Sequence, residues 1–508
     1  MASVDVQVKQ GRIETEADEV LVLHHYEGEA GLHDEAATVD RALKGLLRAL
    51  LASGEFEGKH GQTVLLHTHG KIPAKRVLLV GLGKKKDAKL DIVRQAMGTA
   101  AKRVRQAGAK AFTTPLHGRA IVDTTGLLLA QAMVEGAILG GYQFTAYRSD
   151  QAKDAKGLTR IRFIAAGASE AAQIREGARR GLAGAEATMF VRDLCNHPSN
   201  VMTPTRIAAE AKRISKERGV TVKVLEQRAV EKLGMGAFLG VARGSHEPPK
   251  FIILEYRGRP SGNGRGSRPI VLVGKTITFD TGGISLKPAE NMEQMKADMT
   301  GGAEVLATIR AISRLKLPLH VIGLLPATEN MPGGRAIKPG DILKTLSGKT
   351  VEVQNTDAEG RLILADGLAY ATRLKPKAII DIATLTGACA VALGQFAIGL
   401  LGNDESLKRR VQQAGLTAGE RAWEMPLWEE YFEQLKSDVA DMRNIGGRGG
   451  GMITAALFLS KFVDDYPWVH LDIASTDWSE RERAYISKGP TGIGTRLLLQ
   501  YLLNEAER

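Results

Sequence analysis

The sequence predicts an α/β protein of two domains: a smaller N-terminal α/β domain and a larger C-terminal one with a mostly parallel central sheet flanked by helices. Three observations predict it. A chain of 508 residues exceeds the size at which one hydrophobic core usually keeps growing. Short apolar runs alternate with helical stretches along its length, the pattern of βα units. One stretch, 169–194, has helical spacing and no breaker proline, so it reads as a helix joining two such patterns.

Taken in order, residues 1–168 form the first domain. Its strands are read from "TVLLHTH" (63–69), "RVLLVGLG" (76–83) and "RIRFIAAG" (160–167), and a helix from "DIVRQAMGTAAKRVRQAG" (91–108). The linker helix covers 169–194. From "CNHPSN" onward, 195–508 form the second domain. There "KFIILEYRG" (250–258), "RPIVLVG" (268–274), "LHVIGLLPA" (319–327) and "AIIDIAT" (378–384) look like central strands, apolar throughout because both faces are covered. The Gly/Ser/Arg stretch "GRPSGNGRGS" (258–267) reads as a mobile connection between two of them.

Composition sets bounds on function. With 44% apolar and 25% charged residues the chain is of the soluble globular class. Its two cysteines, Cys195 and Cys389, are far apart and outside any CxxC spacing, which excludes a disulfide framework and points to a reducing compartment. The N-terminus lacks an apolar signal core, so the expected location is cytoplasmic. The apolar segment 378–402 is long enough to imitate a membrane span, but Asp381, Gln395 and its small residues read as a buried strand followed by a packed helix, and no membrane association is expected. A formal charge of +12 permits nucleic-acid binding. The basic residues are scattered, however, without the aromatic interleaving of single-strand binders.

Motifs narrow the chemistry by elimination. "GKT" at 274–276 lacks the glycine five residues upstream that a phosphate loop needs, since Pro269 stands there and "IVLV" between them is a strand. "DTG" at 280–282 occurs once, whereas aspartic proteases need two facing aspartates. No G-x-S-x-G elbow and no H-E-x-x-H are present. Ser313-x-x-Lys316 falls in a helical, surface-like pattern, and His67-x-His69 in a strand pattern.

Acidic residues in unusual places remain. Asp280 follows an apolar run and precedes Gly282 and Gly283, at a strand end, where open α/β sheets put their ligands. In "VEVQNTDAEGRLILADGLAYA" (351–371) strand alternation gives way to helical spacing after Gly360, leaving Asp357 and Glu359 on the turn between. Asp298, in "MEQMKADMTGG", sits among residues too apolar for a solvated face. Carboxylates gathered in one site repel one another, and divalent cations commonly offset that cost; four match the charge of two such ions.

"NTDAEGRL" (355–362) and "GKTITFDTGGISLKP" (274–288) resemble the two active-site segments of the leucyl aminopeptidase family, the M17 metallopeptidases. The likeness runs from "RDLCNHPSN" (192–200) to "GPTGIGTRLL" (489–498), and in the N-terminal part is one of pattern only. The resemblance implies a two-metal aminopeptidase that hydrolyses the N-terminal peptide bond of peptides through a metal-bridging hydroxide, with Zn or Mn as the expected ions. It implies Lys275, Asp280, Asp298, Asp357 and Glu359 as ligands: Asp280 and Glu359 bridging, Lys275 and Asp298 completing one ion, Asp357 the other. Lys275 must then bind as the neutral amine. The catalytic pair is Lys287, steadying the oxyanion, and Arg361, holding a bicarbonate ion that shuttles the proton. Met295, Thr384, Gly387 and Ala474 are implied to line the pocket for the first side chain, whose apolar character suits leucine. A homohexamer is also implied. Three positions depart from the family's usual residues: Thr276 stands for Gly, Thr281 for Ser, and Asp477 for an apolar or small residue. The alternative reading, a nucleic-acid-binding regulator alone or in addition to a peptidase, rests on the net charge and on DNA-binding members of the family.

Overall fold

Runs of apolar residues too continuous for a half-exposed strand become the centres of two sheets. The structure, a computed structural model, describes residues 4–149, 157–258 and 268–508. Residues 259–267 of the stretch read as a mobile connection lie outside the described residues. The chain divides into two compact units, Met1–Glu186 with Arg481–Lys488, and Ala187–Glu480 with Gly489–Arg508.

The first unit holds β1 (Asp5–Gln10), β2 (Val20–Glu27), α1 (Asp34–Ala42), α2 (Leu46–Ala52), β3 (Thr63–His67), β4 (Arg76–Lys84), α3 (Leu90–Gln106), β5 (Ala111–Thr114), α4 (Gly126–Gly140) and β6 (Arg160–Ala165). Its sheet has the order β1-β6-β5-β2-β4-β3, parallel except at the β3 edge. β4 is buried from Val77 to Gly83, as a strand covered on both faces must be. α3 buries Val93, Met97, Ala100 and Val104, one stripe at helical spacing. α4 is buried along nearly its whole length and approaches α3 closely: a Cβ at Gly136 would lie 2.0 Å from the Arg94 carbonyl oxygen. The helix α5 (Ala168–Asn196) follows, and the division between units falls within it.

The second unit continues with α6 (Pro204–Ile214), β7 (Val220–Glu226), α7 (Gln227–Leu233), α8 (Gly236–Ala242), β8 (Lys250–Arg257), β9 (Ile270–Gly274), β10 (Thr276–Asp280), α9 (Thr300–Leu315), β11 (His320–Asn330), β12 (Ile342–Lys344), β13 (Thr350–Glu352) and α10 (Gly360–Arg373). Then come β14 (Ala378–Ala383), α11 (Gly387–Leu393), β15 (Ile398–Gly402), α12 (Glu405–Ala418), β16 (Ala422–Glu424), β17 (Met442–Arg443), α13 (Gly451–Ser460), β18 (Trp468–Asp472), β19 (Trp478–Ser479), β20 (Gly489–Pro490) and α14 (Thr495–Ala506). The main sheet has the order β16-β15-β18-β14-β9-β11-β8-β7, with β10 added beside β11. Its centre, β18-β14-β9-β11, is parallel, and β8, β7 and β15 run antiparallel to their inner neighbours. The core packs sheet residues such as Val271, Val273, Leu324 and Ile379 against helix residues such as Leu362, Leu368 and Phe458.

The membrane-like segment resolves into β14, α11 and β15, and among the described residues no helix is long and apolar enough to cross a membrane. Ser313 is helical as predicted but not on a surface. It is 2% exposed, and its hydroxyl donates to the Arg218 carbonyl.

Candidate metal centre

The carboxyl ends of the four parallel central strands converge on one place, where an open α/β sheet positions ligands. Lys275 follows β9, Asn330 ends β11, Thr384 follows β14 and Asp472 ends β18. The chain leaves β9 for β10 at Lys275, whose amide donates to the Ile382 carbonyl, so the lysine side chain is launched from the middle of the sheet. It is 4% exposed. Its Nζ lies 2.8 Å from Asp298 Oδ1, 2.9 Å from Glu359 Oε1 and 2.8 Å from the Thr384 carbonyl oxygen.

Asp280 ends β10, where Gly282 (φ +87°) and Gly283 (φ +66°) reverse the backbone in the left-handed region that favours glycine. Its Oδ1 accepts from the Gly282 amide at 2.9 Å and from Asn330 Nδ2 at 2.8 Å; its Oδ2 lies 2.9 Å from Lys287 Nζ. Asp357 and Glu359 lie just before the start of α10, and Lys287 pairs with Asp357 as well. One oxygen from each of Asp280, Asp357 and Glu359 can be chosen so that all lie within 4.8 Å of one another. The structure therefore brings Lys275, Lys287 and the four predicted acids together.

Four carboxylates face two ammonium groups, and burial makes the imbalance costly. Burial, with the neighbouring acids, holds the carboxyls of Asp298 and Glu359 above the usual range and pushes Asp357 up to about 6. Burial would lower both lysines, but the surrounding carboxylates outweigh it and raise them. Asp298 Oδ2 is buried without any hydrogen-bond partner. Excess negative charge, an orphaned carboxylate oxygen and a wholly oxygen and amine donor set fit divalent cations. Beside such an ion the sign for Lys275 would reverse, because a metal favours the neutral amine.

Thr276 is accommodated by the helix α9. Its hydroxyl donates to the Gly274 carbonyl at 2.8 Å, and a Cβ at Gly302 would lie 2.0 Å from that hydroxyl oxygen, so the missing side chain at 302 makes the room. Thr281 donates to the Asn330 carbonyl at 2.8 Å.

Arg361 is 5% exposed and forms no ion pair among the described residues; Nη1 donates to the Asn444 carbonyl at 2.9 Å and Nε has no hydrogen-bond partner there. Burial lowers its pKa to about 10, against the pull of Glu359 and Asp472. Of the predicted pocket residues, Thr384 donates to Asp298 Oδ1 at 2.6 Å, and the Met295 carbonyl accepts from the Asp298 amide. Asp472 ties the others: its carboxylate accepts from the amides of Leu385 and Ala474 and from Thr386 Oγ1. Gly387 faces open space.

Sequence reasoning missed three positioning residues. Asn330 holds Asp280 and the Thr356 carbonyl, Asn444 holds the Asn355 carbonyl and the Gln354 amide, and Asp472 organises the two loops just described. The signal for Asn330 and Asp472 was a polar residue closing an apolar strand; Asn444 offered none.

The family described as "Cytosol aminopeptidase family, catalytic domain" matches residues 189–499, and "Cytosol aminopeptidase family, N-terminal domain" matches 26–151. The chain belongs to the cytosol aminopeptidase family. As a member it is a metallo-aminopeptidase, a hydrolase acting on peptides. Similar members include a "Probable cytosol aminopeptidase" of Geotalea uraniireducens, 48% identical with 91% of this chain and 92% of the relative covered. Another so named, from Nitrosococcus oceani, is 45% identical with 99% of each covered. Among solved structures, a point mutant of tomato leucine aminopeptidase matches at TM-score 0.86 and 33% identity, covering 99% of this family member and 97% of that chain. "Bottromycin maturation enzyme BotP in complex with Mn" matches at TM-score 0.84 and 34% identity, covering 96% and 100%.

Proposed function

We propose that the protein releases the N-terminal residue of peptides with two divalent ions, Mn or Zn, held by Lys275, Asp280, Asp298, Asp357 and Glu359. The observation that carries this is the convergence of Asp280, Asp357 and Glu359 beside a buried lysine and a buried, half-unpartnered aspartate. When bound, the ions supply Lewis acidity, polarising the scissile carbonyl and making water nucleophilic at neutral pH.

The chain's own residues do the rest. Lys287 keeps its charge among Asp280 and Asp357 and donates to the oxyanion that develops on the carbonyl, an interaction stronger in the transition state than in the ground state. Arg361 offers a buried, unpaired guanidinium, whose planar fork matches a planar anion such as bicarbonate and supports its place in proton transfer to the leaving amine. Asn330 and Thr384 fix the carboxylates of Asp280 and Asp298. Met295, Thr384, Gly387 and Ala474 line the entry for the first side chain and favour apolar contact there. We assign the protein to the cytoplasm, supported by two buried free cysteines, and to a homohexamer.

Dialysis against a chelator and reloading with Mn or Zn tests the reading. Activity on a leucine amide disappears and returns, and Asp357→Ala or Glu359→Ala lowers turnover by at least about a thousandfold at saturating metal. Wild-type turnover in either variant removes the proposal.

A further inference from the structure

We propose that Glu304 and Asp477 form an acidic floor beneath the pocket for the first side chain, so that the enzyme takes N-terminal arginine and lysine as well as apolar residues. This rests on the aminopeptidase reading and on the pocket lining named above.

Position in the fold comes first. Glu304 stands on α9, at the level of Ile382: a Cβ at Gly494 would lie 2.5 Å from Glu304 Oε2 and 2.8 Å from Ile382 Cδ1. Ile382 precedes Thr384 by two residues, which along a strand means the same face. Asp477 follows Ala474 by three residues in a turn closed by the Thr476 and Asp477 amides on the Ile473 carbonyl; the Ile473 amide is itself anchored to the Ala383 carbonyl. Glu304 thus neighbours Ile382, two residues before Thr384, and Asp477 shares a turn with Ala474. The charge of Asp477 is felt by Glu304 and by Cys195, and Lys275 is felt by Asp477.

Neither acid is explained by the fold. Glu304 is 0% exposed and both its oxygens lack hydrogen-bond partners. Asp477 keeps partial exposure, and its own main-chain amide and that of Trp478 steady its carboxylate. The third carboxylate nearby, Glu420, is fully engaged by Arg496 and by the amides of Gly494 and Leu497. Burial and like charge hold Glu304 and Asp477 well above the ordinary carboxyl range, as expected of acids awaiting a cation. A buried acid without a partner costs several kcal/mol in general, so it persists where something else supplies the charge.

The chemistry of the occupant follows from the layering. Of the lining named above, Met295, Gly387 and Ala474 have apolar side chains or none, and on this proposal the acids lie past them. Arginine and lysine side chains have that order, an apolar stem and a cationic head. Arginine can also satisfy two carboxylates at once through its planar fork. Leucine fills the apolar part and stops short of the floor.

The test compares kcat and KM of the metal-loaded full-length enzyme on fluorogenic amides of leucine, methionine, arginine and lysine, for wild type, Asp477→Asn and Glu304→Gln. Wild type is expected to cleave the arginine or lysine amide with kcat/KM at least equal to that for leucine. In each variant the arginine-to-leucine ratio falls by about thirtyfold or more, chiefly through KM. Free L-arginine raises the melting temperature of wild type more than L-leucine does, and that difference shrinks in both variants. An enzyme that releases leucine but neither arginine nor lysine overturns the inference and leaves the aminopeptidase reading standing; one that releases none of the four overturns both. A ratio unchanged within about twofold in both variants, with leucine turnover dependent on added sodium or potassium, assigns the acids to a monovalent ion and also overturns it.

Discussion

Gly360 stands directly behind the Lys275 side chain: a Cβ there would lie 2.5 Å from Cε and 2.8 Å from Nζ. In "NTDAEGRL" the glycine is therefore present for the lysine rather than for the backbone. Gly360→Ala should favour helix formation slightly and still displace Lys275. We expect the melting temperature to hold and turnover to fall by about a hundredfold, since shifts of about 1 Å at a reacting centre cost that much. Unchanged turnover would show that Lys275 has room to yield. Asn330 is a second case, with Nδ2 steadying Asp280 Oδ1 at 2.8 Å. Asn330→Ala should weaken metal affinity by roughly 10- to 100-fold, as losses behind metal ligands do, measured by competition with a chromogenic chelator. An affinity within about twofold of wild type would reduce Asn330 to a loop tie. The carboxylates were legible in the sequence because acids between apolar runs are conspicuous. Asn444 was not, because an asparagine beside a turn looks the same whether it holds the turn or a neighbouring loop, and Asn330 offered only a polar residue closing an apolar strand.

Elements show the same division between local and non-local information. In the segment 378–402 the buried strand was legible, but the helix read there as packed buries only Cys389 and exposes Val391 at 89%, and β15 was hidden in the same apolar run, where strand and helix cannot be separated by periodicity. In the first unit, β2 carries His24 and the turn after β5 carries His117, their rings 4.7 Å apart. Burial, Arg119 and His25 lower His24 to about 3, and burial and His24 lower His117 well below 6.5. The folded state therefore binds fewer protons than the unfolded one between those values and about 6.5. Stability from these groups is fully present above pH 6.5 and is lost as pH falls below it. His117, the more deeply buried of the two, carries the larger share of that loss, and His24, which keeps some solvent contact, the smaller. Denaturant titrations at about pH 7.5 and about pH 5 should show a flatter pH dependence for His117→Gln than for wild type. Parallel curves would mean that His117 is not the responsible group.

For the whole molecule, two units were legible from length and from the alternation of runs, because each pattern needs its own core. That Arg481–Lys488 cluster with the first unit was not, since only long-range packing decides it. The proposed homohexamer belongs to this scale. The catalytic unit exposes Trp428 at 62%, Trp423 at 62%, Val439 at 65% and Phe396 at 59%, with Trp428 beside Tyr431 at 6.5 Å between ring centroids. Exposed tryptophans in a soluble protein are characteristic of surfaces that meet other surfaces, and they are enriched among residues whose truncation costs about 2 kcal/mol or more of association. For the proposed homohexamer, light scattering behind size exclusion should give six times the chain mass of 54.6 kDa at micromolar concentration. Trp428→Glu places a charge in a contact that must exclude water, and should shift the population toward smaller species, more so on dilution. A wild-type protein that elutes at the mass of one chain at every concentration, while turning over peptide at full rate, would show that this apolar surface is idle and that the site is complete within a single chain.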